Sequence, residues 1–432
     1  MKKTKANSPH HLKNKSKLSE LKKTIGPGFI TGSADNDPSG IGTYSMSGAR
    51  FGFGQVWIII FNLPMMIAVQ EMCGRLGMVT GTGLAGNIKK HFSLKWLYLC
   101  VVFLVFANVF NIGANLAVMS SVIKLLVGGN VYFWGLFIAL LIVFLELLVP
   151  YKKYTSILKW LTIPFFAYVI VAFMVPQDWG DILKALVIPG FEFNSTYIML
   201  LVGFIGTTIS PYLFFWQASE EVEEEVENKV ISDMDEKPKR VFSKNISKMR
   251  IDTIVGMVFS QIIAFFIVIT CASTLFKSGI FEINDAKEAA LALRPLAGNW
   301  AFLLFAIGII GAGFMGIPTL AGSAAYAVSE VFDWKQGLFK KFKQASRFYM
   351  VIVLATIFGL FINVLGLNPI KTLLYSAVIN GVVSIPLIAF IILLTNNSKV
   401  MGKHKNKPIS NILGWFTFGV MLLASVMMVI YW

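Results

Sequence analysis

Apolar stretches of roughly 20 residues, each long enough to cross the hydrocarbon core of a bilayer, recur along the whole chain. In lipid every backbone polar group must be paired within its own helix or a closed barrel. The pattern therefore restricts the chain to an all-α polytopic membrane protein and leaves little room for a soluble domain. Composition agrees, since 56% of the 432 residues are hydrophobic and only 14% are charged. Eleven spans can be read, at 25–48, 54–73, 96–123, 131–150, 157–176, 197–217, 252–276, 299–322, 347–365, 370–395 and 409–431.

A formal charge of +15 raises the question of nucleic acid. The Lys and Arg residues, however, sit in tails and connections, the distribution that sets topology and meets anionic lipid. The lipid bilayer is the expected partner, and no nucleic acid is. Positive charge in the amino-terminal arm, Arg75 to Lys95, Lys152–Lys153, 229–250, Lys335 to Arg347 and Lys399 to Lys407 alternates with poorly charged connections such as Gly128–Val131 and Asn363–Leu367. The positive-inside rule then places the amino terminus in the cytoplasm, the protein in the cell membrane and Trp432 on the far side. Residues 1–24 read as a basic cytoplasmic arm without the apolar core and cleavage site of a signal peptide.

Two spans are unlike the rest. The first contains GPGFITGSADNDPSGIGTYS and the sixth contains GFIGTTISPYLFF. Proline removes a helix hydrogen bond and disfavours helix just before it, and broken backbone at membrane depth is tolerated only where it is buried in protein or lines a cavity. Two breaks five spans apart are what an inverted five-plus-five repeat predicts. The expected organisation is a transporter core over 25–395, with repeats at about 25–176 and 197–395, followed by a linker and eleventh helix over 396–432.

The chemistry concentrates at the first break. A carboxylate in mid-membrane is costly without a compensating partner, and no basic residue shares the centre of this span. A bound cation is the natural partner for Asp37, with Asp35 as a charge behind the ligands or in the vestibule. The competing reading is a carboxylate that caps the half-helix after Pro38. Unwound segments near Ser39–Gly40 and Thr207–Ser210 would free main-chain oxygens suited to a hard cation. Asn380, near Pro386 in the tenth span, is a weaker candidate. Glu71 and Arg75 read as a pair one helical turn apart at the end of the second span, and Glu146 as an interfacial residue. Asn108, Asn111 and Asn115 share a helix face and read as interhelical hydrogen-bonding groups. The acidic run Glu220 to Glu227 reads as a solvated helix face, or as a cation-concentrating mouth beside the ion path. The three cysteines and four histidines form no cluster. No nucleotide-binding or nucleophile-elbow motif occurs, so neither an enzyme nor a cofactor is expected.

GPGFITGSADNDPSG, followed by GARFGFGQVW and QEMCGRLGMVTGTGLA, resembles the Nramp metal transporters in order and spacing, and GFIGTTISP, LFAIGIIGAGFMGIPTLAG and SIPLIAF extend the resemblance along the chain. It implies a LeuT-type fold of eleven spans, alternating access, and a metal site between spans one and six. On that resemblance Asp37 matches the family's aspartate, Gly40 stands in place of a ligating Asn, Thr207 supplies a backbone carbonyl and Ser210 replaces a Met. Tyr212 and Gln217 replace histidines, while Asn115 and Val118 replace the acidic residues of a proton route. A hydroxyl in place of a soft thioether suits Mg²⁺, smaller side chains leave room for a partly hydrated ion, and the lost titratable groups remove a relay. The expectation is transport of Mg²⁺, with Mn²⁺ alongside, without proton coupling. The alternatives are a proton-coupled Mn²⁺/Fe²⁺ importer and, further off, an amino-acid or sodium–solute symporter, whose carboxylate substrate Asp37 would repel.

Overall fold

The first span folds as two pieces, and much of the architecture is arranged around the gap. The computed structural model describes residues 26–283, 286–365 and 367–431; the basic arm expected at 1–24 and the terminal Trp432 lie outside the described residues. Helices α1 (Pro27–Ala34) and α2 (Pro38–Phe51) are separated by Asp35–Asp37. Then follow α3 (Trp57–Thr80), α4 (Leu84–His91), α5 (Leu94–Val127), α6 (Val131–Leu148), α7 (Tyr151–Trp160), α8 (Phe166–Met174) and α9 (Trp179–Val187). The second break separates α10 (Ser195–Thr208) from α11 (Pro211–Glu227). Helices α12 (Ser243–Cys271), α13 (Ala286–Val331, kinked at Gly298), α14 (Ser346–Val364), α15 (Pro369–Asn396), the single turn α16 (Ser398–Met401) and α17 (Pro408–Tyr431) complete the chain.

Both breaks have one local cause. Each ends with a residue of extended backbone, Asp37 or Ser210, followed by a proline in the first turn of the next helix. There the missing N–H costs nothing and the fixed φ suits helix. The sequence places the first unwinding near Ser39–Gly40, but it lies at Asp35–Asp37, because Ser39 and Gly40 are drawn into the first turn of α2.

Ten helical stretches among the described residues are long and apolar enough to cross a bilayer, with α10 and α11 together forming one of them. The first expected span is not among the ten, because α1 and α2 have 8 and 14 residues and each is too short alone. Several spans run past their expected ends. Helix α3 continues to Thr80 rather than stopping at 73, and α12 begins at Ser243 rather than 252. The extension of α3 is possible because its charges are paired: Glu71 and Arg75 are buried and 3.0 Å apart. Arg250 adds a second contact to Glu71 at 2.7 Å, and Arg75 donates to Asn406 Oδ1 at 2.6 Å. Where helices face outward they are apolar, as in the stripe Phe133, Phe137, Leu140 and Phe144 on α6.

Helix α1 rests on α12 backbone to backbone. A Cβ on Gly32 would lie 2.2 Å from the carbonyl carbon of Gly256, and one on Gly28 would lie 2.6 Å from the Thr253 nitrogen. Small residues at a crossing let helices approach and gain dispersion contacts in a medium that gives no hydrophobic driving force. Asp252 on α12 seals the contact by accepting the N–H groups of Gly26 and Gly28, each at 2.8 Å.

Removing Glu71 would leave buried Arg75 without its carboxylate, a loss that costs about 3–5 kcal/mol. Glu71→Ala is expected to lower the thermal unfolding midpoint in detergent markedly, measured by tryptophan fluorescence. An unchanged midpoint would show that the pair does not stabilise the fold.

Candidate metal site

At the first break the Asp37 carboxylate is fully buried and held on both oxygens. Oδ1 accepts from the Ser39 hydroxyl at 2.5 Å and the Gly40 N–H at 3.0 Å, and Oδ2 accepts from the Asn115 amide of α5 at 3.1 Å. Asp37 is thus the N-cap of α2, and the capping reading of this residue is correct as local structure. Capping does not cancel its charge, however. No Lys or Arg forms an ion pair with it among the described residues.

The surrounding groups are oxygen-rich. The Ser39 hydroxyl lies 3.4 Å from Thr207 Oγ1 of α10 and 3.4 Å from the Asn111 amide nitrogen. With their nitrogens turned to Asp37 and Ser39, Asn115 and Asn111 are left with carbonyl oxygens that are buried and unpartnered. Amide geometry keeps each of those oxygens beside the group its nitrogen binds. On the opposite side Gly316 of α13 closes on Asp37: a Cβ there would lie 2.5 Å from the Asp37 Cβ. Among the described residues no group of three or more His, Cys, Asp and Glu could hold a metal ion. A cation at Asp37 would therefore draw its remaining ligands from amide, hydroxyl and main-chain oxygens and from water, as hard ions do.

The other candidates are placed as follows. Asp35 is buried, accepts from Ser260 of α12 through one oxygen and keeps the other unpartnered. Gly40 lies inside α2 and contributes its N–H to Asp37. The Ser210 hydroxyl turns back to the carbonyls of Gly206 and Thr207, each at 2.7 Å, so the Thr207 carbonyl already has a donor. Asn380 is buried on α15, which packs on α2 and α10, and neither of its amide atoms is paired. The hydroxyl of Tyr212 bonds the Ala34 carbonyl at 3.1 Å and ties the α11 side of one break to the other. Sequence reasoning named Ser39 only as part of the segment expected to unwind; its hydroxyl, two residues past the aspartate, bridges Asp37 to Thr207. Asn108 meets the interhelical reading, donating to Leu320 O and Ser323 Oγ of α13, each at 2.9 Å.

Two readings of acidic residues need correction. Glu220, Glu221, Glu223 and Glu225 are buried rather than solvated. Glu223 accepts from the Tyr326 hydroxyl and the Leu338 N–H, both at 2.5 Å, and from the Phe339 N–H, which fixes the turn after α13. Glu220 accepts from Tyr151 at 3.1 Å. Glu146, expected at the interface, is also buried, and both its oxygens are unpartnered.

A bundle of apolar helices with two interrupted spans and a carboxylate at the first interruption defines a multi-pass membrane protein of the LeuT type. The Eremococcus coleocola manganese transporter, solved with an aromatic bis-isothiourea substituted compound, superposes with a TM-score of 0.73 at 17% identity, covering 99% of this chain and 88% of that one. Mhp1, a nucleobase-cation-symport-1 family transporter, gives 0.57 at 13% identity, covering 94% and 92%. The family model of natural resistance-associated macrophage protein-like proteins, Nramp, matches residues 28–431, and the chain belongs to that family. Curated relatives include the divalent metal cation transporters MntH of Caldanaerobacter subterraneus, 25% identical over 96% of this chain and 92% of its own length, and of Bacillus subtilis, 23% identical over 94% and 91%.

Replacing a side chain that orients a metal ligand typically costs about 10–100-fold in affinity. Asn115→Leu is expected to weaken Mn²⁺ binding by that factor, measured by calorimetry on the purified protein, with monodispersity retained. Unaltered affinity would remove Asn115 from the site.

Proposed function

We propose that this chain carries Mg²⁺, and Mn²⁺ alongside it, across the cell membrane by alternating access without moving protons. Membership of the Nramp family makes it a divalent metal cation transporter and not an enzyme; the proposal adds the ion and the coupling. Its chief support is the donor set at Asp37, a carboxylate met by Ser39 and Asn115, with Asn111 and Thr207 one contact further out. Hard oxygen donors suit Mg²⁺, which keeps part of its water shell, whereas a thioether or imidazole would select softer transition metals.

In this reading Asp37 is the anionic ligand and the carbonyls of Asn115 and Asn111 supply neutral oxygens. Ser210 and the Thr207 main chain join once the Ser210 hydroxyl releases α10. Gly40 orients Asp37 through its N–H. Asp35 and Asn380 serve as outer polar groups on the route. In this reading the amino terminus is on the cytoplasmic side. Proton coupling lacks an obvious relay in α5, where Asn115 and Val118 carry no titratable group.

One observation favours a second reading, proton-driven Mn²⁺ or Fe²⁺ import: one structural neighbour is a manganese transporter and curated relatives are named MntH.

Uptake into sealed liposomes, followed with Mg²⁺ and Mn²⁺ indicators and an internal pH dye, separates the two. Mg²⁺ entry without acidification, at a rate indifferent to a proton gradient and absent in Asp37→Ala, is the expected result. Mn²⁺ entry with acidification and no Mg²⁺ flux would overturn the proposal.

A further inference from the structure

Where α3 ends and α12 and α17 begin, a pocket of about 220 Å³ is lined by positive charge. Arg75 and Arg250 reach it from α3 and α12, and Lys403, Lys405 and Lys407 from the segment before α17. No Asp or Glu lines it. The segment is held in place by Arg75, which donates to the His404 carbonyl at 2.5 Å and to Asn406 Oδ1 at 2.6 Å. Backbone at Lys405 is extended, so Lys405 and Lys407 point away from the buried Asn406 between them.

These charges are not balanced from within. Glu71 offers one carboxylate to two guanidiniums. Arg250 uses Nε and Nη2 for it, and its Nη1 has no hydrogen-bond partner among the described residues. Lys403, Lys405 and Lys407 form no ion pair among them. Charges of one sign in a cleft with low-dielectric walls focus their potential on it and draw in the opposite sign. His404 registers that potential: partial burial, then the charges of Lys403 and Arg75, hold its imidazole below the usual range. Neutral donors complete the lining, with Ser243 and Ser247 from α12 and Ser410 from α17. Both helices present their first turns here, and the N-cap of α12 is Phe242, which gives no side-chain cap. The positive ends of two helix dipoles add to the basic side chains. Guanidinium, ammonium and hydroxyl donors set around one space suit an anion with several oxygens, as phosphate has.

We propose that this pocket binds a phosphate-bearing anion, held by Arg250, the three lysines and the serine hydroxyls. A phospholipid headgroup and a soluble phosphate compound share that chemistry. The lipid source is favoured by Ile251, Ile409 and Ile412, exposed apolar side chains beside the charged rim. The bound anion joins α3, α12 and the start of α17, and α12 is the helix on which α1 rests. The site stands independently of which ion passes Asp37.

The test uses the purified full-length protein and the variant Lys403→Gln/Lys405→Gln/Lys407→Gln, which leaves Glu71, Arg75 and Arg250 in place. A control, Lys335→Gln/Lys341→Gln/Lys343→Gln, removes as many exposed lysines outside the pocket. Two probes separate the sources. Native mass spectrometry compares retention of phosphatidylglycerol with that of phosphatidylcholine, and thermal unfolding in neutral detergent follows inorganic pyrophosphate. Wild type and control are expected to bind at least one probe, and the pocket variant to bind it at least about tenfold more weakly. Selective retention of phosphatidylglycerol identifies the lipid source and a pyrophosphate shift the soluble one; either supports the site. Binding of neither probe by wild type, undiminished binding by the pocket variant, or an equal loss in the control would overturn it.

Discussion

A negative charge removed from water at membrane depth is the constraint that organises this molecule. Asp37 has no basic partner, and hydrogen bonds from Ser39, Gly40 and Asn115 stabilise its carboxylate without neutralising it. In a low-dielectric interior such a group is tolerable only if a cation visits it or it takes up a proton. The gap at Asp35–Asp37, the small residues around it and the turned amides of α5 all read as means of keeping that charge hydrogen-bonded and reachable by an ion.

The helix breaks and the glycines are two halves of one device. An interrupted helix in a membrane leaves polar backbone groups that must find partners inside the protein. Here the Tyr212 hydroxyl meets the Ala34 carbonyl and the Ser210 hydroxyl meets the carbonyls at the end of α10. The neighbouring helices must come close to supply such partners, and glycine permits it: Gly316 against Asp37, Gly32 against Gly256. The gap and its close surroundings therefore depend on each other, and neither is a stable arrangement alone.

Much of this was legible along the chain. Long apolar segments gave the class, paired prolines gave the two interrupted helices, and Asp35 and Asp37 marked the first interruption as the place to look for an ion. The resemblance carried by the ADNDPSG segment agreed with the family to which the chain belongs. Less legible were the groups whose roles depend on rotamer and neighbour. Ser39 read only as part of an unwound segment that frees main-chain oxygens, and Asn115 as one of three helix-packing amides. Ser210 looked like a free hydroxyl, yet it is turned onto its own helix, a short-range choice that no spacing rule records. The acidic run after the sixth span misled for the opposite reason. A row of Glu usually means water, but Tyr151, Tyr326 and the turn after α13 meet it and supply donors.

Sequence alone established the solvent, the helical class and which two spans are interrupted, because these follow from local sterics and from the cost of polar groups in hydrocarbon. Tertiary structure decided which oxygens face Asp37, which acidic side chains are satisfied, and that Glu225 is buried with an oxygen to spare. Those outcomes turn on contacts between residues far apart in the chain, such as Asp37 with Asn115 and Asp252 with Gly26, and close packing rather than pattern selects them.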